Sequence, residues 1–196
     1  GTAAGSRGQR RDGAARAAVL HACHAGAAAA DGGRDVAADD PARADRPVRR
    51  AHVAYYIGFA QAAASGRGTA TQALGRTKLE TELDNLRAAL RFSRAGGEAA
   101  LALELSALLR RFWFERGYLT EGRQWLDESL AASPGPSATR ARALSGNGVL
   151  AHYQGDYDRA RELCQEALDL SLSLDDPNGI AEAYTGLALV HRTRGD

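Results

Sequence analysis

The stretch Gly148-Val-Leu-Ala-His-Tyr-Gln-Gly-Asp-Tyr-Asp-Arg-Ala-Arg-Glu-Leu-Cys-Gln-Glu-Ala167 decides the fold of this 196-residue chain. Gln154-Gly155-Asp156 is a short glycine turn, and helical sequence lies on both sides of it. The same turn recurs as Arg116-Gly117-Tyr118, 38 residues earlier, and as Arg194-Gly195-Asp196, 40 residues later. A fixed period in this range marks a stacked helical array, in which each helix pair buries its apolar face on its neighbours.

Working outward, the upstream pattern is also helical. Ala51–Ala64 carries Tyr55, Tyr56 and Phe59 within one amphipathic stretch, and residues 66–71 break it. Leu79, Leu83, Leu86 and Leu90 then step by four, three and four, which is one helix face. Glu80, Glu82 and Asp84 fall early in that helix and Arg87, Arg91 and Arg94 late, an order that complements the helix dipole. Gly96-Gly97 ends it. Between units, the connections are Ser133–Ser137 and Asp175–Asn178, where Asp176-Pro177 is a helix-start signal.

Composition bounds the function. Lys and Arg number 25 against 24 Asp and Glu, a net charge of +1. That balance argues against a segment whose main task is gripping nucleic acid, since such affinity scales with the phosphates neutralised. Two cysteines make no disulfide scaffold, so a reducing, cytoplasmic setting is expected. No apolar run reaches the roughly 18 residues of a membrane span. Methionine is absent and residue 1 is Gly, which reads as a processed chain or a fragment of a longer one.

Residues 1–47 are almost entirely Ala, Gly, Arg and Asp. Such a stretch buries too little apolar area to offset chain entropy, so a disordered or poorly packed arm is expected there. A native flexible arm and an out-of-frame translation of GC-rich DNA both fit it. Arg7, Arg10, Arg11 and Arg16 ahead of Ala17–Ala30 imitate a secretory signal, but His21 and His24 interrupt the apolar run.

The quoted stretch resembles a tetratricopeptide repeat. Gly148, Ala160, Cys164 and Ala167 fill the small and plugging positions of its pattern. In the unit before, Leu109, Trp113, Gly122, Leu126 and Pro134 correspond, while Arg110 stands where a small residue is usual. In the last unit, Tyr184, Leu187 and Ala188 correspond, and the unit stops at Asp196 without its second helix. The resemblance implies an all-α, tetratricopeptide-like array of helical hairpins, a right-handed α-solenoid. It divides the chain into the arm (1–47), junction helices (48–97) and repeats, the last truncated (98–196).

A narrower resemblance follows from Glu82-Leu-Asp-Asn-Leu-Arg-Ala-Ala-Leu90, Arg111-Phe-Trp-Phe-Glu-Arg-Gly117 and Gly122-Arg-Gln-Trp-Leu126, with Arg49-Arg50-Ala51-His52 and Tyr55-Tyr56 before them. In this order they look like the bacterial LuxR/MalT-type and AfsR-type (SARP) signal-transduction ATPases. Those regulators carry a P-loop module ahead of their repeats and often a helix-turn-helix domain at one end. The resemblance implies a protein-interaction or ligand-sensing segment with no catalysis, no cofactor and no direct nucleic-acid contact of its own. The Ala- and Arg-rich composition points to a high-GC, actinomycete source. A free-standing tetratricopeptide adaptor is the alternative.

No catalytic motif stands against this reading. Gly75-Arg-Thr-Lys78 imitates a phosphate loop with the wrong glycine spacing. His21, Cys23 and His24 form one cluster without a second, a weak metal signal. Phe112, Trp113, Phe114 and Trp125 concentrate the aromatics and read first as core, second as a partner anchor. Alignment with the repeat puts Arg111, Phe114, Arg142, His152 and Arg192 on the concave face. There the expected ligand is a protein or peptide, acidic for choice, or a small effector. Self-association is left open. The residues expected to pack repeats together are Trp113, Gly122, Leu126, Gly148, Ala160, Cys164, Ala167, Tyr184 and Ala188.

Overall fold

A computed structural model describes residues 46–65 and 69–194. The arm before residue 46, with His21, Cys23 and His24, lies outside the described residues, as does the turn at Gly195. Eight helices account for the described chain. They are α1 (Arg46–Ala64), α2 (Thr69–Thr81), α3 (Leu83–Ala95) and α4 (Ala99–Arg116), then α5 (Leu119–Ala132), α6 (Ala138–Tyr153), α7 (Tyr157–Ser173) and α8 (Pro177–Arg194).

The turns form where the sequence demands them. Gly117 and Gly155 end α4 and α6 at φ of 77° and 82°, a left-handed backbone that costs glycine little. Ser137 caps α6 by accepting the Arg140 amide at 3.1 Å. Asp176 does the same for α8 through the Asn178 amide at 3.2 Å.

The helices stack as antiparallel pairs: α4 with α5, and α6 with α7. Successive first helices lie side by side, α1 on α4, α4 on α6 and α6 on α8. The chain is therefore an all-α helical-repeat array. The helices of residues 48–97 join the same stack, α1 in a first-helix position and α2–α3 opposite it. Arg87 donates to both Glu121 oxygens at 2.7 and 2.6 Å, and Arg94 pairs with Glu128 seven residues on, so α3 and α5 are tied in parallel register.

One apolar core runs from Val53 to Leu187, with Leu86, Leu105, Leu126 and Leu150 fully enclosed. The leucine ladder read as one helix is bent at Glu82, between α2 and α3. Leu79, Leu83, Leu86 and Leu90 still share a buried face. Glu82 is itself buried, and it accepts Tyr56 Oη at 3.0 Å and Asn85 Nδ2 at 2.7 Å. Gly75 and Lys78 lie inside α2, not in a loop. A Cβ on Gly75 would fall 2.6 Å from the Ala63 carbonyl oxygen, so this glycine serves helix approach and not phosphate binding.

Of the expected packing residues, Trp113, Gly122, Leu126, Gly148, Ala160, Cys164 and Ala167 are buried. Tyr184 and Ala188 are exposed instead. The face that α8 presents to α6 and α7 carries Ala183, Gly186, Leu187 and Val190. Tyr184 is one residue, about 100° of helix, off that face, and Ala188 lies one turn beyond Tyr184.

Candidate functional site

The first helices α4, α6 and α8 frame a groove with a cavity of about 280 Å³. Small residues open it. Gly146 lies directly beneath Arg110, and a Cβ there would come 2.5 Å from Arg110 Cδ. Gly186 on α8 leaves room in the same way for Cys164 Sγ, which a Cβ would meet at 2.6 Å.

The Arg110 side chain, anchored on α4, crosses α6 over Gly146 and reaches α8. There it donates to Glu182 at 2.8 Å, and it also donates to the Ala107 carbonyl at 3.0 Å. Burial pushes its pKa down, the Glu182 carboxylate pushes it back up, and the fields of Arg142 and Arg111 lower it further. The guanidinium stays charged, since its ordinary value lies so far above neutrality.

Apolar and aromatic surface flanks this pair. Phe114 on α4 and Tyr153 on α6 are 37% and 49% exposed, and their ring centroids stand 4.5 Å apart. Val149 and Leu150 continue the wall. Phe114 and Tyr153 thus form an exposed aromatic pair beside the groove. Arg111 stands on the rim, exposed, and donates to Glu115 at 2.8 Å. Arg76 reaches Glu115 from α2 at 3.3 Å. Burial pushes the Glu115 carboxyl up, but Arg111 and Arg76 prevail and hold it below its ordinary value.

The expected concave residues divide. Arg111 and Phe114 line the groove. Arg142 is exposed on α6, close enough for its field to act on Arg110. Arg192 is exposed on α8. His152 does not belong to the open face: it is 8% exposed, with Tyr153 and Tyr157 rings 5.2 and 5.3 Å away. Its neighbour Tyr153 points outward, so His152 turns toward α7. Burial lowers its pKa, and the charge of Arg192 adds to that. The aromatic concentration also divides, since Phe112 and Trp113 are core, Trp125 is half-buried and Phe114 lies on the groove.

Sequence reasoning missed Arg110, Ser145, Val149, Tyr153 and Glu182. The one signal for them was Arg110 itself, a bulky cation in a slot that normally takes a small residue.

A second cleft, of about 520 Å³, lies between the start of α1 and the end of α3. Arg46 donates to the Gly96 carbonyl at 3.2 Å, and Arg49 lies over the Phe92 ring at 5.5 Å. Cations there complement the carbonyl end of α3. Cys164 is buried, and burial raises its thiol pKa to about 11, which suits a packing residue and not a nucleophile. Among the described residues no three metal-ligating side chains come together, and no helix is long and apolar enough to cross a membrane.

Against known proteins, residues 139–196 match the tetratricopeptide repeat family, the part of the chain that forms α6–α8. Three curated relatives, named as HTH-type transcriptional regulators, come from two strains of Mycobacterium tuberculosis and from Mycobacterium bovis. Each is 33% identical over 117 residues, which is 55% of this chain and 13% of the relative. The chain thus spans about an eighth of the length of those regulators. No solved structure matches it.

Proposed function

We propose that this chain is the partner- or effector-binding repeat segment of a bacterial, ATP-dependent transcriptional regulator of the LuxR/MalT or AfsR (SARP) type. The observation that carries the reading is the 33% identity, over more than half of the chain, to proteins named as HTH-type regulators. The groove between α4, α6 and α8 supplies the binding surface, and the concave placement of exposed aromatics and arginines supports that role. In this reading the segment acts in the cytoplasm of an actinomycete and performs no catalysis. ATP and DNA are handled by other parts of the same protein, and a bound partner or effector acts on them through the stack.

Extending the reading frame tests the proposal directly. An in-frame P-loop module upstream of residue 47, with a helix-turn-helix sequence beyond Asp196 or ahead of the P-loop, is the expected result. A frame that opens near residue 1 and closes after one further helix overturns it, and leaves a free-standing adaptor that binds only partner proteins.

A further inference from the structure

Among the described helices α1 is the outermost at its end of the stack, and its outer side is not built as an end. None of residues 51–64 is charged, and Ala51, Ala54, Gly58 and Ala62 are exposed along it. By contrast, α7 fills its outer side with Asp158, Arg159, Arg161, Glu162, Glu166 and Asp169. A helix without charge on any side is one that is covered on every side, and array ends otherwise carry a polar face. Beside this face, α1 and α2 enclose a groove of about 440 Å³ walled by Tyr55, Phe59 and Leu74. Leu74 is 57% exposed there, and a Cβ on Gly58 would meet nothing within 4 Å.

We propose that residues 14–30 of the same chain cover this face, as a helix packed antiparallel on α1. Three properties of the preceding chain select that occupant. The first is composition. Ten of those seventeen residues are Ala, the strongest helix former, and they stand between Asp12-Gly13 and Asp31-Gly32-Gly33, which are start and stop signals. Ala15, Val19, Ala22 and Gly26 share one side of such a helix, and small residues there against Ala54, Gly58 and Ala62 let two helix axes close in. Val19 and Leu20, the large aliphatic side chains of the segment, fill the groove.

The second property is reach. The segment makes a helix of about 25 Å, close to the length of α1. With Leu20 at the groove, Ala30 comes to the start of α1, where the chain resumes. The third is charge. The connecting residues 31–45 carry five Asp and two Arg, and the start of α1 offers Arg46, Arg49 and Arg50 around the cleft of about 520 Å³. Opposite charges thus meet where the connection must pass. By itself the segment buries too little to stay folded, but on α1 it finds a ready-made partner face.

The test is hydrogen exchange on the full chain. Amides of residues 18–30 should exchange slower than in an unstructured chain by about tenfold or more. Gly58→Trp, which fills the groove, should remove that protection and leave α4–α7 unchanged. Unprotected amides at 18–30, or protection that survives Gly58→Trp, overturn the assignment. A second readout uses the native thiol of the segment, since Cys164 is buried. In Ala54→Cys, mild oxidation should join Cys23 to the introduced thiol within one chain, and in Gln165→Cys on α7 it should not. This readout decides the matter if Gly58→Trp also loosens α4–α7. Disulfide-linked dimers through position 54 would give the face to a second copy, and equal linking at positions 54 and 165 would mean a tether without a seat. Either result overturns the assignment, while the reading of the groove between α4, α6 and α8 stands apart from all of them.

Discussion

The crossing of α6 on α7 and the hairpin of α1 with α2–α3 differ in how much of each contact is made by small residues and how much by large ones. At the crossing, small residues let two backbones close in: Gly148 faces Ala160 and Cys164, and a Cβ on Gly148 would meet Cys164 Sγ at 2.5 Å and the Ala160 carbonyl oxygen at 3.1 Å. In the hairpin, α2 closes on α1 at one point only, where Gly75 meets the Ala63 carbonyl, and large side chains fill the rest. Tyr55, Tyr56 and Phe59 contact one another edge-on or stacked, with centroids 5.1 to 6.4 Å apart. The hairpin also encloses Glu82 with its Tyr56 and Asn85 donors. The crossing is thus sensitive to added atoms, and the hairpin, away from Gly75, to removed ones.

Trp113 tests whether the two regions share a core. It is 1% exposed beneath Gly122, within the cluster that runs from Val53 to Leu187. Trp113→Ala should cost about 3–5 kcal/mol in chemical denaturation, and both regions should lose structure in one transition. Two separate transitions would mean that the regions fold independently.

The next effect probes the crossing alone. Gly148→Ala should cost about 1–3 kcal/mol by overpacking, and Ala160→Leu a similar amount. Cys164→Ala, added to Gly148→Ala, should return part of that loss, because it removes the sulfur in the way. A double-mutant cycle with no coupling would show that the crossing is looser than its geometry implies.

In the hairpin, Tyr56→Phe removes one donor from a buried carboxylate and leaves Asn85 in place. The expected loss is about 1 kcal/mol in urea unfolding. Stability equal to wild type would place the Glu82 charge in contact with water.

The smallest effect concerns the tie between the hairpin and α5. The Arg87 guanidinium beside Glu121 holds its carboxyl below the ordinary value, against the opposing effect of burial. A carboxylate with a depressed folded pKa adds stability above its unfolded pKa of about 4.3, and loses it as the pH falls through the lower folded value. Glu121→Gln should therefore be weaker than wild type at pH 7 by less than about 1 kcal/mol, since the pair is partly exposed to solvent. The gap should close as the pH drops below the folded pKa. A gap that persists at low pH would assign the effect to packing.

What the sequence made legible follows the same division. Gly117 and Gly155 were readable from the spacing of the turns, where the reason is local, and Gly148 and Ala160 from the resemblance to the repeat. The bend at Glu82 was not, because the leucine steps run through it without losing phase. His152 was placed on the wrong face, and Tyr184 and Ala188 one residue off theirs. In each case neighbouring positions on a helix differ by about 100°, and the packing partners that choose between them are distant in sequence. Arg110 was visible as an anomaly, but its destination on α8 depends on how three helices stack.

That reach has a consequence for how the array behaves as a whole. In a linear array each unit contacts only its immediate neighbours, and stability is close to a sum of unit and adjacent-interface terms. The Arg110 to Glu182 link skips one unit and joins the units on either side of it. It adds a second-neighbour coupling to a one-dimensional lattice, so melting either outer unit also removes a contact of the other. The pair is partly exposed to solvent, so this coupling is small beside the adjacent-interface terms, and losing it leaves pure nearest-neighbour behaviour.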